Sequence, residues 1–163
     1  MMTLIWMLRN RAREVSMTRG ARLALTAVAI VIFALLWNGL VHGLLLHEAE
    51  AALTGLLRPA GDRSSLLALL VTAGIAATFM VSHVWLVRPA GIGQGLVHGM
   101  WFGLLAGLLV DLNQYLLYPI PGYLASCWFL SGMFEFSCYG LIAAWLYPVP
   151  RFRRAGQRAE QCA

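Results

Sequence analysis

The sequence predicts an all-α protein, a four-helix transmembrane bundle with both ends on the cytoplasmic side. Composition is the first reason. Of 163 residues, 60% are hydrophobic and 12% charged, against roughly 25% charged in an ordinary soluble domain. The second is that the apolar residues fall into four runs of about 20 or more, the length needed to cross a bilayer core. The third is the uneven placement of the basic residues, all of which are arginine. Four spans leave only short connections, so a separate extramembrane domain does not fit and a soluble enzyme of standard type is excluded.

The first span is expected over 21–46. It opens ARLALTAVAIVIFALLW and carries no formal charge after Arg22. Its apolar run is about twice the usual 7–15 residues of a signal peptide core, and no convincing small-x-small cleavage site follows. It reads as a permanent anchor. The second span, 66–87, lies between Asp62-Arg63 and Arg88-Pro89. The third, 95–118, stops where Pro119 and Pro121 remove donors and clash with the preceding turn. The fourth, 123–147, stops at Pro148 and Pro150. Flanking this membrane domain (21–148) are a basic cytoplasmic segment, 1–20, and a basic cytoplasmic tail, 149–163. Met17 allows residues 1–16 to be read as an overextended gene start or as an arm on acidic lipid.

Arginine placement sets the orientation, because short basic loops stay in the cytoplasm. Arg9, Arg11, Arg13, Arg19 and Arg22 precede the first span, Arg88 follows the second, and Arg151, Arg153, Arg154 and Arg158 follow the fourth. The opposite loops carry only Arg58 and Arg63, offset by Glu48, Glu50 and Asp62. Trp85, Trp101, Trp145 and Tyr147 then mark the inner interface, and Tyr115, Tyr118, Tyr123 and Trp128 the outer one. Cys127 and Cys138 read as packing residues, since about 16 Å along one helix separates them, too far for a disulfide. Cys162 falls in the tail.

Gly95, Gly99, Gly103 and Gly107 recur every fourth residue in the third span. Small residues at that spacing let two backbones approach in lipid, where no hydrophobic force drives helices together. They are expected to pack the bundle or to make a dimer. Gly39 with Gly43, Gly132 with Gly140, and Ala73 with Ala77 offer shorter versions on the other spans.

Ionisable groups inside spans cost about 2.5–3.5 kcal/mol each on insertion scales, so they call for a partner or a purpose. Asn38 and His42 share a face of the first span, Asp111 lies late in the third with Gln114, Tyr115 and Tyr118 after it, and Glu135 sits near the middle of the fourth. Alternating spans bring Asn38, His42, Asp111 and Glu135 to the outer half, between spans one, three and four, with His47 and Glu48 at the mouth. The set reads as a satisfied hydrogen-bond network, a proton or ion relay, a divalent-metal site or a small-ligand or lipid pocket. On the inner side His83 and His98 come to similar depth on antiparallel spans. Facing histidines can clamp a haem iron, although interfacial histidines touching water or headgroups give the same pattern. No cofactor is favoured, and the metal question stays open. Nucleophile-elbow, P-loop and dinucleotide motifs are lacking, which disfavours an enzyme.

Asn38-x3-His42-Gly43-x2-Leu46, Leu57-Arg58, Gly99-x3-Gly103-x3-Gly107, Pro119-Ile120-Pro121, Trp128, and Glu135 with Gly140 together resemble a group of small four-span bacterial inner-membrane proteins of uncharacterised function. The resemblance covers roughly residues 25–148 and implies a fold and a location, without an activity. The expected function is that of a non-enzymatic accessory or complex-associated membrane subunit. The alternatives are a small transporter or proton/ion relay using the His/Asp/Glu cluster, and a haem- or metal-binding redox protein. The expected partners are the lipid bilayer and either a second copy or a larger membrane complex, with no nucleic acid.

Overall fold

A computed structural model describes residues 18–148, apart from 54, 57 and 90. The expected basic arm up to residue 17, the tail over 149–163 with Cys162, and Leu57 lie outside the described residues. Among the described residues all regular structure is helical, and four helices are long and apolar enough to cross a membrane: Arg19–Leu45, Ser65–Val87, Ile92–Leu117 and Gly122–Leu146.

Local chemistry explains where each begins and ends. Thr18 Oγ1 accepts the Ala21 N–H at 3.2 Å and Ser64 Oγ accepts the Leu67 N–H at 3.2 Å, each satisfying a donor left over at a helix start. The first helix is α-helical over Arg19–Leu40 and widens into a π turn over Val41–Leu45. The second does the same, α over Ser65–Val81 and π over Ser82–Val87. It ends at Arg88, left-handed at φ 47°, immediately before Pro89, which disfavours the helical region for its predecessor. The third helix runs over Ile92–Leu109, distorts at Val110 (φ −108°, ψ −67°), and resumes over Asp111–Leu117. Tyr118, extended ahead of Pro119, closes it, and Pro121 at φ −57° leads into the fourth helix.

The outer surface is apolar, unlike that of a water-soluble bundle. Leu36, Leu44, Leu86, Leu116 and Trp145 are largely exposed, while Thr26, His83 and His98 are buried. Helices apolar all round need an apolar surrounding medium, so these few polar groups turn to the inside of the bundle. Thr26, for instance, donates its hydroxyl proton to the Arg22 carbonyl at 2.8 Å. One core cluster holds Ile30, Ala34, Ala76, Phe79, Met80, Tyr139 and Ala143. A smaller one, at the end of the bundle that carries the 46–64 connection and the 118–121 turn, joins Leu53 to Ile120, Leu124 and Ala125. That end is called the loop end below, and the other the terminal end.

The third and fourth helices are the closest pair, and the glycine stripe is the reason. All four glycines are buried. A Cβ on Gly95 would come within 2.5 Å of Ala144 Cβ and 2.6 Å of the Gly140 carbonyl oxygen, and one on Gly99 would collide with the Phe136 carbonyl oxygen. At Gly103 it would lie 3.0 Å from Met133 Cα, and at Gly107 2.5 Å from the Phe129 ring. Gly140 answers from the fourth helix, since its own Cβ would strike the Gly95 carbonyl oxygen. The stripe therefore serves packing within the chain and is closed to a second copy. The shorter small-residue faces behave differently: Gly39 and Gly43 look onto open space, and Ala73 and Ala77 are exposed, with Ala76 taking the buried position on the second helix. Spacing alone did not indicate which way these faces turn.

Candidate functional site

The loop end of the bundle carries a half-open cavity of about 720 Å³, within the 300–1,000 Å³ range typical of ligand pockets. All four spanning helices line it. Asn38 and His42 come from the first, Thr72 and Ile75 from the second, Gly107 and Asp111 from the third, and Trp128, Ser131, Glu135 and Tyr139 from the fourth. Glu50, Arg58 and Arg63 reach in from the 46–64 connection.

Asn38, His42, Asp111 and Glu135 thus face one space, but they do not form one network. Glu135 Oε1 accepts from Asn38 Nδ2 at 2.8 Å and from the Tyr139 hydroxyl at 2.5 Å. Asn38 Nδ2 also donates to the Ala34 carbonyl at 2.9 Å, which fixes the amide. His42 pairs elsewhere: its Nδ1 lies 2.5 Å from Glu50 Oε1, and that oxygen also accepts from Trp128 Nε1 at 2.9 Å. Both carboxylates therefore hold two donors on a single oxygen. The two sets sit at different depths, the Glu50 set over the loop-end core and the Glu135 set beside Tyr139 of the main core. Asp111 lines the same cavity, within electrostatic range of His42. No side chain among the described residues hydrogen-bonds or ion-pairs with its carboxylate. A Cβ on Gly132 would lie 3.8 Å from Asp111 Oδ2, so the glycine keeps the fourth helix clear of it.

His47 and Glu48, placed at the mouth by sequence, do not line the cavity; Glu50, two or three residues on, does. The short helix His47–Ala51 brings Glu50 to His42 and into the cavity lining. Trp128, read as an interface anchor, is half-buried and hydrogen-bonded to Glu50. Glu50, Arg58, Arg63, Trp128 and Tyr139 are among the site residues that sequence reasoning missed. Tyr139 had a usable signal, four residues beyond Glu135 on the same helical face. Trp37 gives a further interhelical link, its Nε1 donating to Ser131 Oγ at 3.0 Å.

At the terminal end His83 and His98 do meet. Their ring centroids lie 5.6 Å apart at 47°, with Phe79 stacked on His98 at 4.6 Å. His83 is fully buried and His98 nearly so. This pair therefore lies inside the protein and does not face headgroups or water. Packed aromatic rings leave no flat slot of haem size: Phe102 lies 6.2 Å from His98, and Phe79 lies 6.4 Å from His83. Both His42 and His83 stand on π turns, a helical irregularity that often marks functional positions.

Among the described residues no three His, Cys, Asp or Glu side chains converge as a metal-binding group. The cavity's chemistry is that of a mixed-charge pocket, with the Asp111 and Glu135 carboxylates on the spanning helices and Glu50, Arg58 and Arg63 on the connection. Arg63 Nε donates to the Arg58 carbonyl at 2.8 Å, which ties the two together at the rim. Comparisons with protein families, with curated proteins and with solved structures gave no match to this chain.

Proposed function

We propose that this chain is a multi-pass membrane protein of bacterial inner-membrane type that binds a small cationic or dipolar solute in the loop-end cavity, as a small transporter or relay would. One observation carries the reading: the Asp111 carboxylate lines a cavity of ligand size with no hydrogen-bond or ion-pair partner among the described residues, His42 lying only within electrostatic range. A charge at that depth is costly when left alone, and the ammonium group of a solute would offset the cost. Arg58 and Arg63 suit an anionic group at the other end of the same solute. With both termini cytoplasmic, as ten of twelve arginines favour, the cavity faces outward.

The test is a thermal-unfolding panel on detergent-purified protein. Amine-bearing dipolar solutes are expected to raise the unfolding temperature of the wild type by several degrees at concentrations well above Kd and to leave Asp111→Asn unmoved. Equal shifts in both proteins, or none in the wild type across the panel, would remove the proposal. Uptake into liposomes, measured on the solutes that bind, then separates transport from simple binding.

The accessory-subunit reading is supported by a different observation. Gly39 and Gly43 open onto empty space beside exposed Leu36, Leu40 and Leu44 on the first helix, a face that suits close approach of another transmembrane helix. Gly39→Leu is expected to abolish co-purification of any membrane partner, or of a tagged second copy, while leaving the monomer folded. Retained co-purification would count against docking there.

A further inference from the structure

We propose that His83 and His98 form a low-coordinate site for a monovalent soft metal ion, copper(I), buried at the terminal end of the bundle and separate from the loop-end cavity. Buried polar atoms normally find a hydrogen-bond partner. Here three ring nitrogens do not: both of His83 and Nδ1 of His98. The Tyr147 backbone approaches His83 but stays outside hydrogen-bonding geometry.

The remaining nitrogen sets the tautomer. Ser82 Oγ lies 3.1 Å from the Phe79 carbonyl and 2.7 Å from His98 Nε2; with its single proton given to the carbonyl, it accepts from Nε2. His98 Nδ1 is then a bare lone pair, oriented from behind by a hydrogen bond, as is usual for a metal-binding histidine. Neutral His83 supplies a second lone pair whichever nitrogen carries its proton. Two metal–nitrogen bonds of about 2 Å, plus about 1 Å from each nitrogen to its ring centre, separate bound imidazole centroids by about 6 Å. The observed 5.6 Å is close to this.

The surroundings select the ion. Among the described residues no carboxylate hydrogen-bonds either ring, so a divalent charge would be buried without an anionic ligand. Zinc also takes four ligands, and calcium and magnesium take oxygen. A monovalent ion that accepts imidazole and thioether donors fits two neutral rings. The face of Phe79 flanks them, and Met80, buried one turn before His83, offers a thioether on the same side of the helix.

The test is anaerobic titration of the purified full chain with copper(I) against a chromogenic competing chelator, in the wild type and in His83→Leu, His98→Leu and His42→Ala. One equivalent of copper(I) in the wild type and in His42→Ala, with affinity at least tenfold weaker in the other two, is the expected result. No copper retained by the wild type, preference for zinc, or undiminished binding in both His83→Leu and His98→Leu would overturn the proposal. X-ray absorption on the copper-loaded wild type does not depend on the variants folding. Nitrogen-dominated, two- or three-coordinate copper supports the site, and a thiolate-only shell, implicating the cysteines, overturns it.

Discussion

Gly99→Ala is expected to lower the stability of the folded bundle by about 3 kcal/mol, at or above the upper end of ordinary overpacking penalties, and to reduce the yield of folded protein sharply. The added Cβ would collide with the Phe136 carbonyl oxygen and crowd the Ser137 Cα. These are backbone atoms in the middle of a helix, with no rotamer to change. Relief requires the third and fourth helices to move apart along their whole contact, which also loosens Gly95 against Gly140 and Gly103 against Met133. Gly39→Ala is the matched control. Its new methyl meets nothing within 4 Å, so it is expected to be neutral or stabilising by about 0.5–1 kcal/mol through helix propensity alone. Reversible unfolding in mixed micelles measures both. Similar losses in the two variants would mean that lipid solvation of glycine, rather than interhelical contact, accounts for the stripe.

The same pair of glycine positions shows what a sequence reveals about such a protein and what it withholds. Four apolar runs separated by Pro and Arg are enough to predict four spanning helices, because the medium leaves a backbone few other ways to satisfy itself. Residue counting along a run also gives depth, so Asn38 and Glu135 could be placed at a common level and His83 opposite His98. Azimuth is different. Gly39-x3-Gly43 and Gly99-x3-Gly103 are equivalent as spacings, yet only the second faces a neighbour, because a helix that is apolar all round has no polar side to tell its inward face from its outward one. Depth without azimuth also explains the misplaced partner of His42. Glu50 lies beyond the end of the span, and only the short helix His47–Ala51 brings it back over the cavity. The π turns at His42 and His83 had no sequence signal at all.

Asn38→Leu is expected to cost about 1.5–3 kcal/mol, the range for a hydrogen bond to a charged group, and the size of the loss reports on whether the cavity is wet. Interhelical hydrogen bonds in membranes average only about 0.6 kcal/mol in double-mutant cycles, since the unfolded helices also find partners. Asn38 has features that argue for more. Its amide is held by the Ala34 carbonyl, so little side-chain freedom is lost in the contact. Its acceptor is a half-buried carboxylate with Tyr139 on the same oxygen, so the Asn38 donor stabilises whatever charge the pair leaves there. A cycle of Asn38→Leu, Glu135→Leu and the double variant is expected to give a coupling of about 1–2 kcal/mol, with the double variant more stable than the sum of the singles, because neither Asn38 nor Glu135 is then left facing a lost partner. The Tyr139 hydroxyl loses its acceptor in Glu135→Leu and in the double variant alike, so that loss cancels from the cycle. Tyr139→Phe should couple to Glu135 in the same way and by a similar amount. Coupling at or below the membrane average for both would mean that water in the cavity replaces the lost donors. In that case Glu135 is solvated from the cavity side and the network contributes little to holding the helices together, which leaves the Glu135 carboxylate free to act with Asp111 on a bound solute.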